Sequence, residues 1–503
     1  METALVDIRK RRRMPYFLLV LAILLGALHL PIGGGVTISQ KTTRYTEPIQ
    51  SDGTIDYVTA LNRELSQGVT RENNAAVLLV LAAGPARVDE AALRELGLEG
   101  LPPRNAYFIP LEKPRRPAGS TRPALDDAMT PWTAHQQPRL AKWLADNRAA
   151  LALAFQASLK TRYYFPLVCS RHPRRIVEAT SATWSFGATL GQALLVRAMN
   201  RAGEGDIRAA WQDILAVHRL GRLVGQGKTI ILLLHGLILD GLAVHGTARL
   251  IETGGVTAEM AREMLADLDA LPPHVPMSVG LDLDRLIPLE NVLLIDTYGV
   301  PNGGVPGSPV GPPLLTRSSL DRGQLLQHWN DLFDQAVAAM AAPTPRARLA
   351  ALQAVADSQI KLAKETGLEI LGWRLLGWAG RGPFTRGVWA FGAFYINATI
   401  SAAEAAEKSS VELTLQRVCL ALAAYRADQG EYPEKLQALV PRYLPSVPPD
   451  ALAERPLGYF RENGGFAVYS VGEDRQDETH PQAGQKGKGD DVAVRVGPVR
   501  RPG

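Results

Sequence analysis

The sequence predicts a mainly α-helical protein: an N-terminal transmembrane helix, a helical body and a small C-terminal α+β module built on a β-hairpin. Three observations carry that expectation. An uncharged apolar run follows a cluster of basic residues, apolar residues recur at helical spacing between caps through most of the chain, and one hairpin signal stands near the end. The chain has 503 residues, a formal charge of +5, 46% hydrophobic and 21% charged residues, and two cysteines. At roughly 100–200 residues per domain, that length allows several domains. The composition excludes wholesale disorder, collagen and a disulfide-stapled mini-fold. A mean hydropathy of -0.04 argues against a polytopic membrane protein.

The basic run Arg9, Lys10, Arg11, Arg12 and Arg13 supplies much of the net charge. The positive balance therefore reflects topology, and no nucleic-acid partner is expected. Behind it the apolar stretch runs from Tyr16 to Leu30 and weakly on through Pro31 and Ile32. Flanking cations stay on the cytoplasmic side, which places residues 1–15 in the cytoplasm and 16–32 in the bilayer. About 17 residues is short against a span of about 20, so a cleaved signal peptide competes with an anchor. Leu28, His29, Leu30 and Pro31 are poor residues for cleavage, which favours an uncleaved single-pass anchor. The bulk is then expected outside the inner membrane, with lipid as its first partner. Two later apolar runs are expected as core helices: Ile230–Val244 carries His235 and Asp240, and Val388–Ile400 is too short to span.

The helical body is expected over 36–298. Asp56–Leu65 and Glu72–Ala83 are short amphipathic helices, the second capped by Thr70 and stopped by Gly84 and Pro85. Proline density over 102–138 forbids regular helix or central strand, so this basic segment is expected to wrap over the helical core. A long helix is expected from Pro138 to Lys160, with Leu140, Trp143, Leu144, Leu151 and Phe155 at helical spacing. Thr189–Arg201 and Ile207–Val224 pair across the turn at Gly203–Asp206, with Asp206 as N-cap and Gly225 as stop. Through Ala198, Gly205, Asp206, Ala210 and Trp211 this pair resembles one tetratricopeptide-type hairpin, without the repeat period of about 34 residues that an array would show. Further helices are expected over Thr229–Ile251, Ala258–Leu268, Val279–Thr297 with a kink or split at Pro288, Leu320–Ala341 and Arg346–Lys364. Glycine and proline over 299–313 mark a linker, and 314–400 reads as a second helical segment.

After residue 400 the pattern changes. Ala402–Asp428 is expected as a helix with Leu415, Cys419, Leu422 and Tyr425 on its apolar stripe, ended by Gly430. A short helix follows at Glu434–Val440, then strands at Leu457–Arg461 and Phe466–Val471 joined by Asn463, Gly464 and Gly465. The string from Leu422 to Pro433, then Leu436, Leu439, Val440, a proline segment and the run Gly465 to Gly472, resembles the globular domain of the major pseudopilin of type II secretion systems. The resemblance covers 402–480 and implies a pseudopilin-like module and a link to secretion, with 481–503 as a flexible tail. Met14, Pro15 and Tyr16 stand where a pilin carries its processing site, so the module is expected as a borrowed domain rather than a polymerising subunit. Upstream, Asp56–Asn62, Gly68–Leu79 and Gly203–Gly227 resemble membrane-anchored bacterial proteins that end in such a module, a resemblance that brings no activity with it.

Hard oxygens on a flexible loop suit Ca²⁺, which takes about six to eight of them, and Glu473, Asp474, Asp477, Asp490 and Asp491 cluster after the hairpin. The pseudopilin resemblance implies Asp474, Asp477, Asp490 and Asp491 as calcium ligands. The spacing departs from that family and Lys486 and Lys488 intrude, so a solvated acidic loop is the competing reading. His235, Asp240 and His245 lie five apart on one helix and do not share a face. There is no nucleophile elbow, phosphate loop, dinucleotide fingerprint or Cys-x-x-Cys. No catalytic site is expected, and the first reading is a scaffold or binding protein of the bacterial envelope with an envelope protein as further partner. The alternative is an envelope hydrolase drawing on His172, His218, Asp240 and Glu290, which requires those residues to converge in one pocket. Cys419 reads as a buried thiol, while pairing with Cys169 and the oligomeric state stay open.

Overall fold

The computed structural model describes residues 36–102, 107–111, 128–169, 175–180, 185–298, 300–301, 309–310, 322–376, 391–477, 479 and 489–498. The expected anchor at 16–32, most of the proline-rich segment and His172 lie outside them. The fold is mainly helical, and the chain divides into two compact units. One comprises Met1–Tyr57, Arg285–Gln335 and Ala354–Asn397; the other comprises Val58–Asp284, Ala336–Gln353 and Ala398–Gly503.

Helices in chain order are α1 (Tyr57–Leu65), α2 (Ala75–Ala83), α3 (Glu90–Glu95), α4 (Pro138–Asp146), α5 (Arg148–Ser158), α6 (Ile176–Thr180), α7 (Ser185–Gly203), α8 (Ile207–Val224), α9 (Ile230–Glu252), α10 (Ala258–Asp269) and α11 (Met277–Asp284). They continue with α12 (Leu286–Tyr298), α13 (Arg322–Ala339), α14 (Pro345–Leu376) and α15 (Phe391–Gln429). The hairpin α7–α8 forms as its local chemistry dictates: Gly205 turns the chain at φ +85° and the Asp206 carboxylate accepts the Ala209 N–H at 3.1 Å. Helix α8 ends at Val224, but Gly225 stays right-handed and Lys228 takes the left-handed position instead. Helix α9 then packs on both α7 and α8. Where α8 and α9 cross, a Cβ on Gly221 would lie 2.7 Å from the Gly236 carbonyl oxygen, and one on Gly236 would lie 2.5 Å from that of Gly221. Only glycine lets the two backbones come that close.

One apolar core runs through the larger unit. It joins Leu79 and Val80 of α2, Leu194 of α7, Ile214 of α8 and Leu239 of α9 to Leu415, Val418 and Leu422 of α15. Val468 and Val494 of the C-terminal sheet belong to the same core. The C-terminal segment therefore joins the core of the helical body, and Ala453, Tyr469 and Val471 form a small cluster of their own beside it. Its hairpin, β5 (Gly458–Glu462) with β6 (Gly465–Ser470), forms in the expected place, with Asn463 and Gly464 at positive φ and Arg461 opposite Phe466. A third strand, β7 (Val492–Val496), pairs with the other edge of β6, Val494 opposite Val468. This strand lies within 481–503, the stretch expected as a flexible tail. Its alternation spans five residues, too few to read as a strand before the partner is known.

In the other unit the Gly/Pro linker contains a two-residue ladder, β1 (Val300–Pro301) with β2 (Pro309–Val310). Asn330 holds the chain near residue 42 by donating to the Thr42 carbonyl at 3.0 Å, and Tyr57 donates to that of Thr43 at 2.8 Å. Two further two-residue strands, β3 (Pro449–Asp450) and β4 (Arg455–Pro456), pair in the larger unit.

Several expected boundaries move for identifiable reasons. The cap of α2 is Asn74, whose side chain accepts the Ala76 N–H at 3.0 Å, while Thr70 closes a turn with Asn73. The helix expected over 138–160 breaks at Asn147. Its side chain accepts the Ile109 N–H at 2.7 Å and donates back to the Ile109 carbonyl at 3.2 Å. That contact fixes the described part of the proline-rich segment on the body, with Phe108 edge-on to Trp143. The predicted break near Pro288 falls at Arg285, and Pro288 sits in the first turn of α12, where its missing N–H removes no helical bond. Among the described residues α9 is the one helix long and apolar enough to cross a membrane. Half of that apolar stretch is buried inside the protein.

Candidate functional site

His218 on α8 and Asp240 on α9 do meet, and both side chains are fully buried. His218 Nδ1 lies 2.7 Å from Asp240 Oδ1. Arg222, one turn beyond His218 on α8, donates from Nη1 to Asp240 Oδ2 and from Nε to the Pro272 carbonyl at 2.9 Å. His274 Nε2 reaches the same Oδ2 and carries the network to the surface, its side chain 21% exposed. On the inner side Gln416 of α15 places its amide nitrogen 3.0 Å from His218 Nε2 and donates to Thr247 Oγ1 at 2.7 Å. These partners set the tautomer: the Nδ1 proton goes to Asp240 and Nε2 accepts from Gln416.

The electrostatics follow from burial. Burial alone would raise the Asp240 carboxyl, but hydrogen bonds from His218 and His274 and the charge of Arg222 outweigh it and hold the pKa below the usual carboxylate range. Glu412 of α15 moves the other way, raised by burial and then by the charge of Asp240. A general base must present a free nitrogen to its substrate. The imidazole of His218 offers none, because both nitrogens are engaged and the ring is closed off from solvent. The network is structural: it bolts α8, α9, α15 and the 272–274 segment together.

Of the other residues of the hydrolase reading, His172 lies outside the described residues. Glu290 lies on α12 in the smaller unit and is 2% exposed, and there burial and then its charge raise the Tyr57 hydroxyl. Of the four residues that reading draws on, His218 and Asp240 are the two brought together within one unit. Neither Cys169 nor Cys419 forms a disulfide; Cys169 lies 3.5 Å from Glu178, and Cys419 is buried in the core, which pushes its pKa up.

Two open clefts lie elsewhere on the larger unit. One, of about 670 Å³, runs between α1, α3 and residues 167–169, lined among others by Asn62, Arg63, Arg94, Glu95 and Cys169. Asn62 fixes its wall, accepting the Leu167 N–H and donating to the Leu167 carbonyl, each at 2.8 Å. Arg63 and Arg94 are exposed and carry no ion pair among the described residues. The other cleft, of about 300 Å³, lies beside the β5–β6 turn, where Arg426 stacks over the Tyr432 ring at 5.1 Å. Neither is lined by a histidine.

The four carboxylates expected to hold calcium act as acceptors for the protein's own donors. Asp490 takes the Glu473 and Asp474 N–H groups at 2.9 and 3.3 Å, Asp474 takes the Gln476 N–H at 2.8 Å, and Asp491 takes the Thr479 N–H at 2.7 Å. Asp477 accepts from the Tyr469 hydroxyl at 2.7 Å. Among the described residues no group of three or more His, Cys, Asp or Glu side chains is arranged to hold a metal ion. A ligand bound only by the native state raises the melting temperature. The melt is therefore expected to agree within about 1 °C in chelator and in calcium; a clear rise with calcium would return these residues to the role the resemblance implies.

Asp284, at the end of α11, accepts the Ile230 N–H at the start of α9 at 3.4 Å, and burial pushes its carboxyl up to about 7. Its unfolded value is about 3.9. Between those values the native state keeps a proton that the unfolded chain has lost, so stability falls as pH rises from about 4 to about 7 and then levels. Asp284→Asn keeps the acceptor and removes the charge. It is expected to stabilise the fold by on the order of 2–4 kcal/mol at pH 8 and by nothing at pH 4, read from denaturant midpoints.

Comparison of the chain with family models, with curated proteins and with solved structures finds no match.

Proposed function

We propose that the chain is a membrane-tethered extracytoplasmic binding or scaffold protein of the bacterial envelope, linked to secretion through its C-terminal module. The observation that carries this reading is the contrast between two polar regions. The pair His218–Asp240, which has the residue types of a catalytic dyad, is sealed and fully satisfied on the imidazole, whereas the open cleft of α1 and α3 presents two guanidinium groups without partners among the described residues. Charged groups held ready at a concave surface serve recognition. The apolar stretch Tyr16–Leu30 behind its arginines supplies the tether.

Topology and recognition are tested together. An alkaline phosphatase fused after Gly503 is expected to be active, and alkaline carbonate to leave the chain in the membrane fraction. A photocrosslinker at Glu90, exposed on the cleft wall, is expected to capture a discrete envelope partner, and Arg63→Glu with Arg94→Glu to abolish that capture without moving the unfolding midpoint. An inactive fusion sinks the location, and capture indifferent to both arginines sinks the cleft.

A further inference from the structure

We propose that the cleft between the last turn of α15 and the β5–β6 turn binds a carboxylate, with the Arg426 guanidinium and the Tyr432 hydroxyl as its donors. The site shares no lining residue with the cleft of α1 and α3. Its two central groups are donors that meet no acceptor. Arg426 is half-buried over the Tyr432 ring, and no carboxylate or carbonyl accepts from its guanidinium among the described residues. Tyr432 is 4% exposed, and nothing among the described residues accepts its hydroxyl proton. The charge of Arg426 acts on that hydroxyl, but a guanidinium only donates. Burial raises the phenol and keeps its proton in place. A buried donor without an acceptor is costly, and both of these donors line one open cleft, so a ligand that brings oxygen atoms completes them.

Charge and shape narrow the ligand to a carboxylate. The neighbouring acids are already matched: Glu431 holds Arg461 at 3.1 Å, Glu462 holds Arg495 at 3.5 Å and Glu252 holds Arg249 at 2.7 Å. Arg426 is thus the one cation of the cleft lining without a counter-charge among the described residues. One uncompensated charge suits a monoanion, while the acids on the rim repel the second charge of a phosphate. A guanidinium fork matches the two oxygens of a carboxylate, and the phenol adds a further donor. The walls leave room for it. A Cβ on Gly430 would meet nothing within 4 Å and one on Gly464 only Pro498 at 4.0 Å, so bare backbone borders open space. A cleft of about 300 Å³ is at the lower end of the range for ligand pockets, which fits a small acid or the terminal residue of a polypeptide.

The test reads saturation transfer from the full chain in detergent to the methyl protons of acetate, at about 5 mM because so small an ion binds weakly. The transfer is expected to fall at least about threefold in Arg426→Gln and in Tyr432→Phe, and to hold in Arg148→Gln, which removes an exposed guanidinium elsewhere. Acetamide, of the same shape without the charge, is expected to show none. Tyr432→Phe removes a hydroxyl that the chain alone leaves unused, so its melting temperature is expected to match or exceed that of wild type. Acetyl-triglycine is expected to displace the acetate, at about tenfold lower concentration if the site takes a chain terminus and at equal concentration if it takes a free acid. No transfer in wild type, transfer that survives either substitution, or equal transfer to acetamide overturns the inference. Phosphate that displaces acetate at a lower concentration than acetyl-triglycine does also overturns it. Should Arg426→Gln unfold, Tyr432→Phe and the acetamide comparison decide alone.

Discussion

A chain that ends at Asp491 is expected to lose the fold of the larger unit. Removal of β7 takes Val492, Val494 and Val496 out of the core, where they are 8%, 2% and 2% exposed. Full burial of such a side chain stabilises by about 1.5–3 kcal/mol, so the three together contribute about 4–9 kcal/mol. That is comparable with the whole stability of a typical domain. The ladder to β6 and the bond from the Gly497 N–H to Glu252 at 2.8 Å are lost as well. Urea unfolding followed by tryptophan fluorescence checks this: Trp211 lies 3% exposed in the same core. An unchanged midpoint would mean that the strand contributes nothing and that a free tail is the better description.

Asp240→Ala is expected to cost about 3–5 kcal/mol, the range for breaking a buried ion pair from one side. The loss leaves Arg222, His218 and His274 facing a cavity with no anion. The pH dependence has a definite sign. A carboxyl whose native pKa is depressed contributes its stability above the unfolded value of about 3.9, and loses it as pH falls through the native value. The gap between wild type and variant should therefore hold from about pH 8 to about pH 5 and close in acid. A gap that opened only near neutrality would show that an imidazole, not the carboxylate, governs the network.

Much of the helical order was legible because its signals are local. Asp206 and Gly205 mark the α7–α8 turn within a few residues, and Asn463 with Gly464 marks the β5–β6 turn. The errors are also local, and each has a competing donor or acceptor. Asn74 outbids Thr70 as the cap of α2 because its side chain also bonds Tyr164, far along the chain. Asn147 interrupts a good helical stripe because the backbone at Ile109 claims its amide. The polar network could not be read as a unit, since His218, Asp240, His274 and Gln416 come from four separate segments. A partial signal existed. A carboxylate at the centre of so apolar a helix as α9 must be paired, and the adjacent α8 carries His218 and Arg222 one turn apart. In the acidic loop the donors to Asp490 and Asp491 include the backbone N–H groups of Glu473, Asp474 and Thr479, which a sequence does not display.

The shared core of α2, α15 and β7 also fixes when this protein can become itself. Leu79 emerges from the ribosome long before Val494, yet both belong to one apolar cluster. Contacts so distant along the chain form slowly, because a very long loop must close before they reward it. Until β7 arrives, the nascent polypeptide displays greasy surface that this strand is needed to cover, a standing demand on chaperones. Assembly thus waits for β7, and a ribosome that stalls before Val492 would release a product unable to close.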